Sequence, residues 1–502
     1  MNIITLKQKN NKLTKHDKYN LVLYDITSYL SDTNFKQLKP LMQKLLFIFF
    51  FSFLYMGSLM AQNLSEIEID LINRSLEKSY ALKKSIRELS IDSIERKAIR
   101  QNFIPTLELE ASYGYGASRI NLDVPTVLLP ITGIELFEGE SRFDAQGQVL
   151  NSNLTFKSLL FSGLQVKYGS KATEEKIKAK NFMLNAEKAD IIKDMIDTFD
   201  KIELLKHSEI VITKSEERLA KEKERVKRAI DNGLAIPYDR DKITAAELNL
   251  ASIKVALYGN LNLLYLKLSM LTDVDIPTLE TYSFDLKPWT LQSSNTTFSD
   301  RPELKALDAT INAYDYKLKM NRNMFLPKIQ AQASLSYSNL FNANLQTPYA
   351  LPGGEDVNLQ LNKLELFPTY FLGVGMQWDL FSGLKHSNGT QKAQIEKSIA
   401  EEEKSDVEEK LELFAKKTQV DFEVKNQQLL FKQQEMEVAK NSLNLAIKSY
   451  REGLISISDR LQTETEYQNT ALNYYNFVAQ QRMVAIDLLI STGSLRIENL
   501  NN

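Results

Sequence analysis

The sequence contains no cysteine and only three histidines in 502 residues. The absence of cysteine excludes disulfides, thiolate metal sites, cysteine nucleophiles and a lipidated N-terminal cysteine. His16 lies outside the expected mature chain, and we expect His207 and His386 to be solvated. The sequence also shows no metal-ligand cluster, nucleophile elbow or phosphate-binding loop. These absences argue against an enzyme and give no residues for a cofactor.

Long apolar runs are scarce, and the one near the N-terminus is typical of a secretory signal. Residues 42–44 form a positively charged N-terminal region, residues 45–55 form the apolar region, and Ala61 provides the small residue of a cleavage site. We expect cleavage after Ala61; the alternative, a membrane anchor, needs roughly 20 apolar residues to cross the bilayer. Residues 1–41 are either an unusual extension or follow from a mis-assigned start, with Met42 as the expected initiator. Beyond the signal, no stretch is apolar enough to cross a membrane as a helix, so any insertion is expected to use β-strands.

The expected exported chain is acidic. Residues 1–61 hold eight lysines and three acidic residues of the chain's 62 basic and 64 acidic residues, which leaves 54 basic and 61 acidic residues. A net charge near −7 argues against nucleic acid as a partner.

The sequence repeats itself at an offset of about 220 residues. The repeated features are a proline before an alternating segment, a Leu-Phe-Ser-Gly sequence, and a Gly-Leu turn followed by an aspartate. They lie at Pro105, 160–163, 233–234 and Asp239 in the first copy, and at Pro327, 380–383, 453–454 and Asp459 in the second. A duplicated unit of this size predicts a symmetric architecture rather than one catalytic centre.

Each copy contains two segments in which apolar and polar residues alternate, a period typical of β-strands. One segment follows the proline and the other precedes the Phe-Ser-Gly sequence. Alternation alone favours a hairpin packed on a soluble core. Three observations favour a transmembrane β-barrel with a wet lumen instead. They are the expected export, the absence of helices that could span a membrane, and the presence of aromatic residues near the strand ends. The stretches between the strands, 116–147 and 339–368, are predicted to be exposed loops.

Long helices are predicted over residues 164–230 and 384–450, which lack proline and carry apolar residues at spacings of three and four. At 1.5 Å per residue, about 67 residues make a rod on the order of 100 Å. Such a rod is expected to pack against neighbouring helices in a coiled-coil manner.

Each rod is predicted to reverse at a glycine, Gly233 or Gly453, which suits the left-handed conformation that closes a helix. The return helices are predicted to end near Thr272 and Thr492. In the second copy, Ser456 is expected to cap the return helix together with Asp459.

The order of these features, doubled at constant spacing, resembles the TolC-like outer-membrane efflux protein family over essentially the whole mature chain. Arg301-Pro-Glu-Leu304, which opens the second copy, is also similar to this family. The resemblance implies an α+β membrane protein that forms a homotrimer. In it, each chain gives four strands to a shared transmembrane β-barrel, which a long α-helical coiled-coil barrel continues into the periplasm.

The physics of the sheet also requires an oligomer, because four strands leave two unpaired edges in lipid and about eight strands are needed to enclose a filled barrel. Strand count alone leaves both a dimer and a trimer open. The resemblance favours the trimer.

The resemblance also implies site residues. The adaptor-docking turn is assigned to Gly233, Leu234, Gly453 and Leu454. Possible mouth-closing contacts are Asp239, Arg240, Asp459 and Arg460, although each aspartate is at least as well explained as a helix cap. The helix-strand hinges are Pro105, Pro327, Gly163 and Gly383.

Four segments describe the predicted organisation: an extension and signal at 1–61, a first repeat at 62–272, a linker or equatorial segment at 273–300, and a second repeat at 301–502. The implied function is the exit duct of a tripartite efflux or type I secretion system, located in the outer membrane. Its implied partners are a periplasmic adaptor protein, an inner-membrane transporter and outer-membrane lipid. A soluble periplasmic coiled-coil scaffold is the alternative, and the identity of the transported substrate is left open.

Overall fold

The computed structural model describes residues 64–124, 139–291, 298–350 and 356–500, together with 127, 128, 130, 131, 133, 135 and 136. The predicted extension and signal, residues 1–61, lie outside the described residues. Residues Leu64–Asn499 form one compact unit. None of the helices in the described ranges combines the length and the apolar character that a membrane crossing requires.

Helices make up most of the described chain. They are α1 (Glu66–Lys78), α2 (Tyr80–Gln101), α3 (Gln165–Asp231), α4 (Pro237–Thr272), α5 (Ile276–Thr281), α6 (Pro302–Arg322), α7 (Lys385–Arg451), α8 (Ile457–Ser491) and α9 (Ile497–Leu500). Both long helices, α3 and α7, have 67 residues and begin and end within one residue of the predicted bounds.

The four long strands form one antiparallel sheet in chain order. They are β1 (Thr106–Val124), β2 (Gly139–Phe161), β3 (Lys328–Ala350) and β4 (Asp356–Gln377). Because the order is β1-β2-β3-β4, the outer edges of β1 and β4 have no partner strand among the described residues. Val127–Leu128 and Glu135–Leu136 pair separately between β1 and β2.

The predicted loops at 116–147 and 339–368 are wrong in extent. The β1–β2 ladder continues without a register shift up to the pair of Val124 with Gly139, and β3 and β4 pair up to Ala350 with Asp356. The ladder is held by backbone hydrogen bonds, which do not depend on apolar side chains. Polar cross-strand pairs such as Arg119 with Asp144 therefore continue strands that glycine, asparagine and serine had marked as loops.

The long helices form a linear array below the sheet. Helix α3 packs between α4 and α8, and α8 packs between α3 and α7, so the order is α4-α3-α8-α7. Nearer the sheet, α2 packs on α3, while α6 packs on both α3 and α7. The core of the α3–α4 hairpin repeats every seven residues, as expected for a coiled coil. Its buried residues include Ile212, Leu219 and Val226 on α3 and Ile243, Leu250 and Leu257 on α4.

The segment predicted as a linker is packed against the helices over residues 282–291. Phe284 and Trp289 are buried, and the Phe284 ring stacks on Phe199 of α3 with ring centroids 4.7 Å apart. The side chain of Gln481 accepts a hydrogen bond from the Trp289 backbone N–H and donates one to its carbonyl. We name residues 282–291 the equatorial strap.

Candidate functional site

The two turns between the long helices and their return helices have the same geometry. Gly233 and Gly453 have φ values of 70° and 72°, as predicted for left-handed residues. The backbone N–H of Leu234 donates to the carbonyl of Ala229, and that of Leu454 donates to Ser449, which closes each helix with a Schellman motif. The side chains of Leu234 and Leu454 are 83% and 76% exposed. Each turn therefore presents a leucine side chain to solvent at the tip of a helical hairpin, and the first turn also exposes Ile236.

The return helices begin differently. The Ser456 side chain accepts from the Asp459 backbone N–H, and the Asp459 carboxylate accepts from the Ser456 backbone N–H, so the predicted cap is confirmed as a full capping box. Hydrogen bonds that the Ser456 hydroxyl and the Ser456 backbone N–H donate to the carboxylate lower the pKa of Asp459. In α4, Ile236 occupies the N-cap position, no side chain caps the helix, and Pro237 follows at the first turn. The Asp459 carboxylate is thus hydrogen-bonded within its own helix cap, and its role in closing the mouth stays a prediction.

Of the four predicted closing residues, Arg460 alone is buried in the chain, with 1% of its surface exposed. Its Nη2 lies 3.2 Å from Oε2 of Glu464 on the same helix. Arg240, in contrast, is exposed and pairs with its neighbour Asp241. The roles of Asp239 and Arg240 in closure also stay predictions.

Glu464 connects Arg460 to the neighbouring helix α3. Arg218 of α3 donates from Nη2 to Glu464 Oε1 at 2.6 Å, and Glu222, one turn further along α3, is also buried. Burial lowers the pKa of Arg460, and the charges of Glu464 and Glu222 oppose that change. We name Arg218, Glu222, Arg460 and Glu464 the buried charge network. Sequence reasoning named only Arg460 of this network, although Arg460 and Glu464 share a helix face at a spacing of four.

The predicted hinges lie where the sheet meets the helices. Pro105 and Pro327 directly precede β1 and β3. Gly163 has a φ of 61°, and a Cβ atom there would lie 3.0 Å from the carbonyl oxygen of Leu326, so the junction after β2 packs closely on the junction before β3. Gly383 has the same φ but no atom within 4 Å of the corresponding position. The structure therefore brings Gly163 against Leu326, the residue before Pro327, and leaves Gly383 open.

A second fully buried ion pair lies inside the helical part, and sequence reasoning missed it. Arg482 of α8 donates from Nε to Oδ1 of Asp200 on α3 at 2.7 Å, and the two side chains are 2% and 1% exposed. Arg482 also donates to the Lys287 carbonyl and lies over the Trp289 ring, 5.1 Å from its centroid. The pair therefore joins two helices to the equatorial strap. No local signal could have found it, because 282 residues separate its two members.

Burial raises the pKa of Asp200 to about 7, although Arg482 favours the charged form. A carboxyl whose pKa is higher in the folded state than in the unfolded state binds more protons when folded. Its contribution to stability is therefore complete below pH 4 and is lost as the pH rises through about 7.

We expect Asp200→Asn to flatten the dependence of the apparent Tm on pH between about pH 4 and pH 7, because the amide does not titrate. The measurement is thermal unfolding of the detergent-solubilised protein across that range, with wild type beside the variant. Asp275→Asn is a matched control, since hydrogen bonds from Thr278 lower the pKa of that exposed acid. Wild-type and D200N curves that stay parallel would contradict the assignment.

The two histidines of the helical part are less solvated than predicted. The His207 ring stacks on Tyr475 with centroids 4.4 Å apart and an interplanar angle of 8°. Both ring nitrogens of His386 are shielded from water and have no hydrogen-bond partner within the described ranges. The prediction of a solvated side chain is therefore wrong for His386, whereas His207 is half-buried against Tyr475 of α8.

Residues 294–494 match the family model described as outer membrane efflux protein. The fold is similar to the crystal structure of the Campylobacter jejuni CmeC outer membrane channel, with 15% identity, a TM-score of 0.64 and coverage of 86% of each chain. It is also similar to the outer membrane protein VceC from Vibrio cholerae, with 14% identity, a TM-score of 0.62 and coverage of 84% of this chain and 95% of that one. The open state of the Neisseria gonorrhoeae MtrE outer membrane channel gives 14% identity, a TM-score of 0.61, and coverage of 86% and 90%.

No curated protein matches the chain in sequence. The family match and the shared fold nevertheless agree with the resemblance seen in the sequence. Residues 294–494 therefore carry the match to the outer membrane efflux family, and the chain shares the fold of these TolC-like channels, which agrees with a location in the outer membrane and a helical part in the periplasm.

Proposed function

We propose that three copies of this chain form the exit duct of a tripartite efflux or type I secretion system. In this arrangement twelve strands close a barrel in the outer membrane and the helices close a tunnel below it. A periplasmic adaptor protein and an inner-membrane transporter supply the cargo and the energy. The observation that carries the proposal is that the sheet and the helix array each end in two open flanks.

The flanks of the sheet are the outer edges of β1 and β4. Backbone groups along an unpaired edge cost several kcal/mol each in hydrocarbon, so a four-strand sheet cannot stand alone in a membrane. Pairing β1 of one copy with β4 of the next removes both edges. Repetition of that pairing closes a ring.

The two faces of the sheet fit such a ring. One cross-strand row contains Leu109, Leu154, Leu335 and Tyr370, all of them exposed in the single chain. The next row, on the opposite face, contains Glu110, Asn153, Ser336 and Thr369. Apolar side chains toward lipid and polar ones toward a wet lumen are the pattern of a membrane barrel.

The flanks of the helix array are α4 and α7, and each carries an exposed apolar stripe. The stripes are Leu248, Val255, Leu263, Leu266 and Met270 on α4, and Val420, Val424, Phe431, Val438 and Leu445 on α7. Leu248 follows Gly233 by 15 residues, and Val438 precedes Gly453 by 15 residues, so the stripes lie at similar distances from the turns. Packing α4 of one copy on α7 of the next would bury both stripes.

The junction residues support the same pairing. Within one chain, Gly163 packs on Leu326, which precedes Pro327. The matching residues of the other junction, Gly383 and Ile104, are at opposite flanks of the sheet, and Ile104 is 58% exposed. A neighbouring copy that brings its Ile104 to Gly383 would repeat the contact seen inside the chain.

In this duct, the buried charge network is the contact that holds the helical hairpins together near the mouth. It joins α3 to α8 through Arg218 and Glu464, while Leu234 and Leu454 remain free to meet the adaptor protein. Opening the mouth would separate charges that are already removed from water. Contacts with the partner protein would have to offset the free-energy cost of that separation. Conduction itself is passive and selects cargo by size and charge.

The test uses the absence of cysteine. We expect the double variant Leu248→Cys with Val438→Cys, treated with a short bismaleimide in isolated outer membranes, to give covalent dimers and trimers on a denaturing gel. Each single-cysteine variant is a control and should remain a monomer, since one flank then lacks its reactive partner. Monomers from the double variant, or a detergent-independent soluble monomer, would contradict the closed ring and favour a periplasmic scaffold.

A further inference from the structure

The four strands are much longer than a membrane crossing requires. They contain 19, 23, 23 and 22 residues. A tilted transmembrane strand needs about 9 to 11 residues. About half of each strand therefore has to lie outside the hydrocarbon layer.

The exposed apolar side chains identify which half is inside. On one face they form successive cross-strand rows near the helices, including Leu107, Leu109, Leu154, Phe156, Tyr370 and Leu372. Tyr113 and Tyr115 continue this face of β1, and both are exposed. Exposed tyrosines at the end of an apolar band are typical of the membrane interface.

Beyond Tyr115 the same face becomes charged. The β1–β2 register is unbroken from Thr106 to Val124, so Arg119 and its partner Asp144 point to the same side as Leu107. The Arg119 Nε lies 2.7 Å from the Asp144 Oδ1, and the two side chains are 61% and 52% exposed. An arginine on the lipid face near the bilayer midplane costs about 2 to 4 kcal/mol. This row therefore belongs in water or in the polar headgroup layer.

Strand geometry gives the height of the lower and upper parts of β1 along the membrane normal. From Leu107 to Tyr115 the chain advances eight residues, about 27 Å along the strand and roughly 20 Å along the normal at a tilt of about 40°. That is close to the apolar band of about 25 Å in such barrels. The nine residues from Tyr115 to Val124 add a similar height, roughly 23 Å, above the band.

We propose that the upper half of the sheet, from residue 117 to 124 in β1 and the rows paired with it, is an extracellular extension of the duct. It stands above the hydrocarbon layer, in contact with water and with the sugars and phosphates of the outer-leaflet headgroups. Its outward face combines charges of both signs, Arg119 with Asp144 and Asp123, which suits a hydrated layer. The duct then opens above the headgroups rather than among them. This inference rests on the proposed barrel and adds the position of its exit.

The test again uses single cysteines in a chain that has none. Asn121→Cys and Asp123→Cys place a thiol at two exposed polar positions of the upper half. A polyethylene-glycol maleimide too large to cross the outer membrane is added to intact cells. We expect the gel band of both variants to shift fully. Leu109→Cys, within the apolar band, should shift only after denaturation, and Glu224→Cys, on α3, only after the outer membrane is permeabilised.

The outcomes separate the two proposals. If neither upper variant shifts in intact cells while Leu109→Cys and Glu224→Cys behave as expected, the upper half is not extracellular and the extension is wrong. If Glu224→Cys shifts in intact cells, or the protein fractionates away from the outer membrane, the proposed duct is wrong. A full shift of Leu109→Cys in intact cells would also overturn the membrane position assigned to the apolar band.

Discussion

Replacing Arg482 by methionine is expected to destabilise the helical part by about 3–5 kcal/mol, the usual cost of removing one partner from a buried ion pair. The guanidinium group is the hydrogen-bond donor to Asp200 Oδ1 and to the Lys287 carbonyl. Without it, the buried Asp200 carboxylate would lose the hydrogen bond to Oδ1, and Oδ2 already has no partner within the described ranges. The measurement is denaturant or thermal unfolding of the solubilised protein at pH 8, where the carboxyl is ionised.

Two controls separate the loss of the pair from a loss of packing. The double variant Asp200→Leu with Arg482→Met should recover most of the stability, since an apolar pair avoids the desolvation of two charges. Arg240→Met removes an exposed arginine and should leave the apparent Tm nearly unchanged, as is usual for surface ion pairs. Equal effects of R482M and R240M would show that the buried pair contributes no specific stability.

Replacing Leu234 and Leu454 together by aspartate is expected to abolish efflux while leaving the fold intact. Both side chains are largely exposed, so their removal takes little apolar surface from the core. At a docking surface, a central apolar residue commonly contributes about 2 kcal/mol, or roughly 30-fold in Kd, and two such losses compound. The measurement is the accumulation of a fluorescent pump substrate in cells that depend on this chain.

Asn232→Asp is the matched control for this experiment, because it adds a charge to the same turn and keeps the leucine. We expect efflux to persist in N232D and the protein to be recovered from the outer membrane in equal amounts for all variants. Normal efflux in the L234D and L454D double variant would show that the turns do not bind the partner.

The long helices and their turns could be predicted closely because local chemistry determines them. Apolar spacing, the absence of proline and the turn glycines fix α3 and α7 to within one residue. The strands were predicted too short because alternation disappears where both faces of the sheet meet water. Arg119 and Asp144 form a cross-strand ion pair, but charged residues on the outer face remove the alternation of apolar and polar residues that predicts a strand.

What the sequence could not predict were contacts between distant segments. Asp200 finds Arg482 only after α3 and α8 pack, and the equatorial strap is buried by both. Gly163 marked a hinge in the sequence, yet its close contact with Leu326 depends on the pairing of β2 with β3. Tertiary packing therefore determines the charged contacts, while local patterning determines the helices and their ends.

The unequal start of the two return helices makes the tips unequal in mechanical terms. The second has a reciprocal serine–aspartate cap, whereas the first begins at Ile236 with no side-chain cap. A side-chain cap commonly contributes about 1 kcal/mol to the end of a helix. We therefore expect thermal fraying to begin at the start of the first return helix, while the capped start of the second return helix stays more rigid.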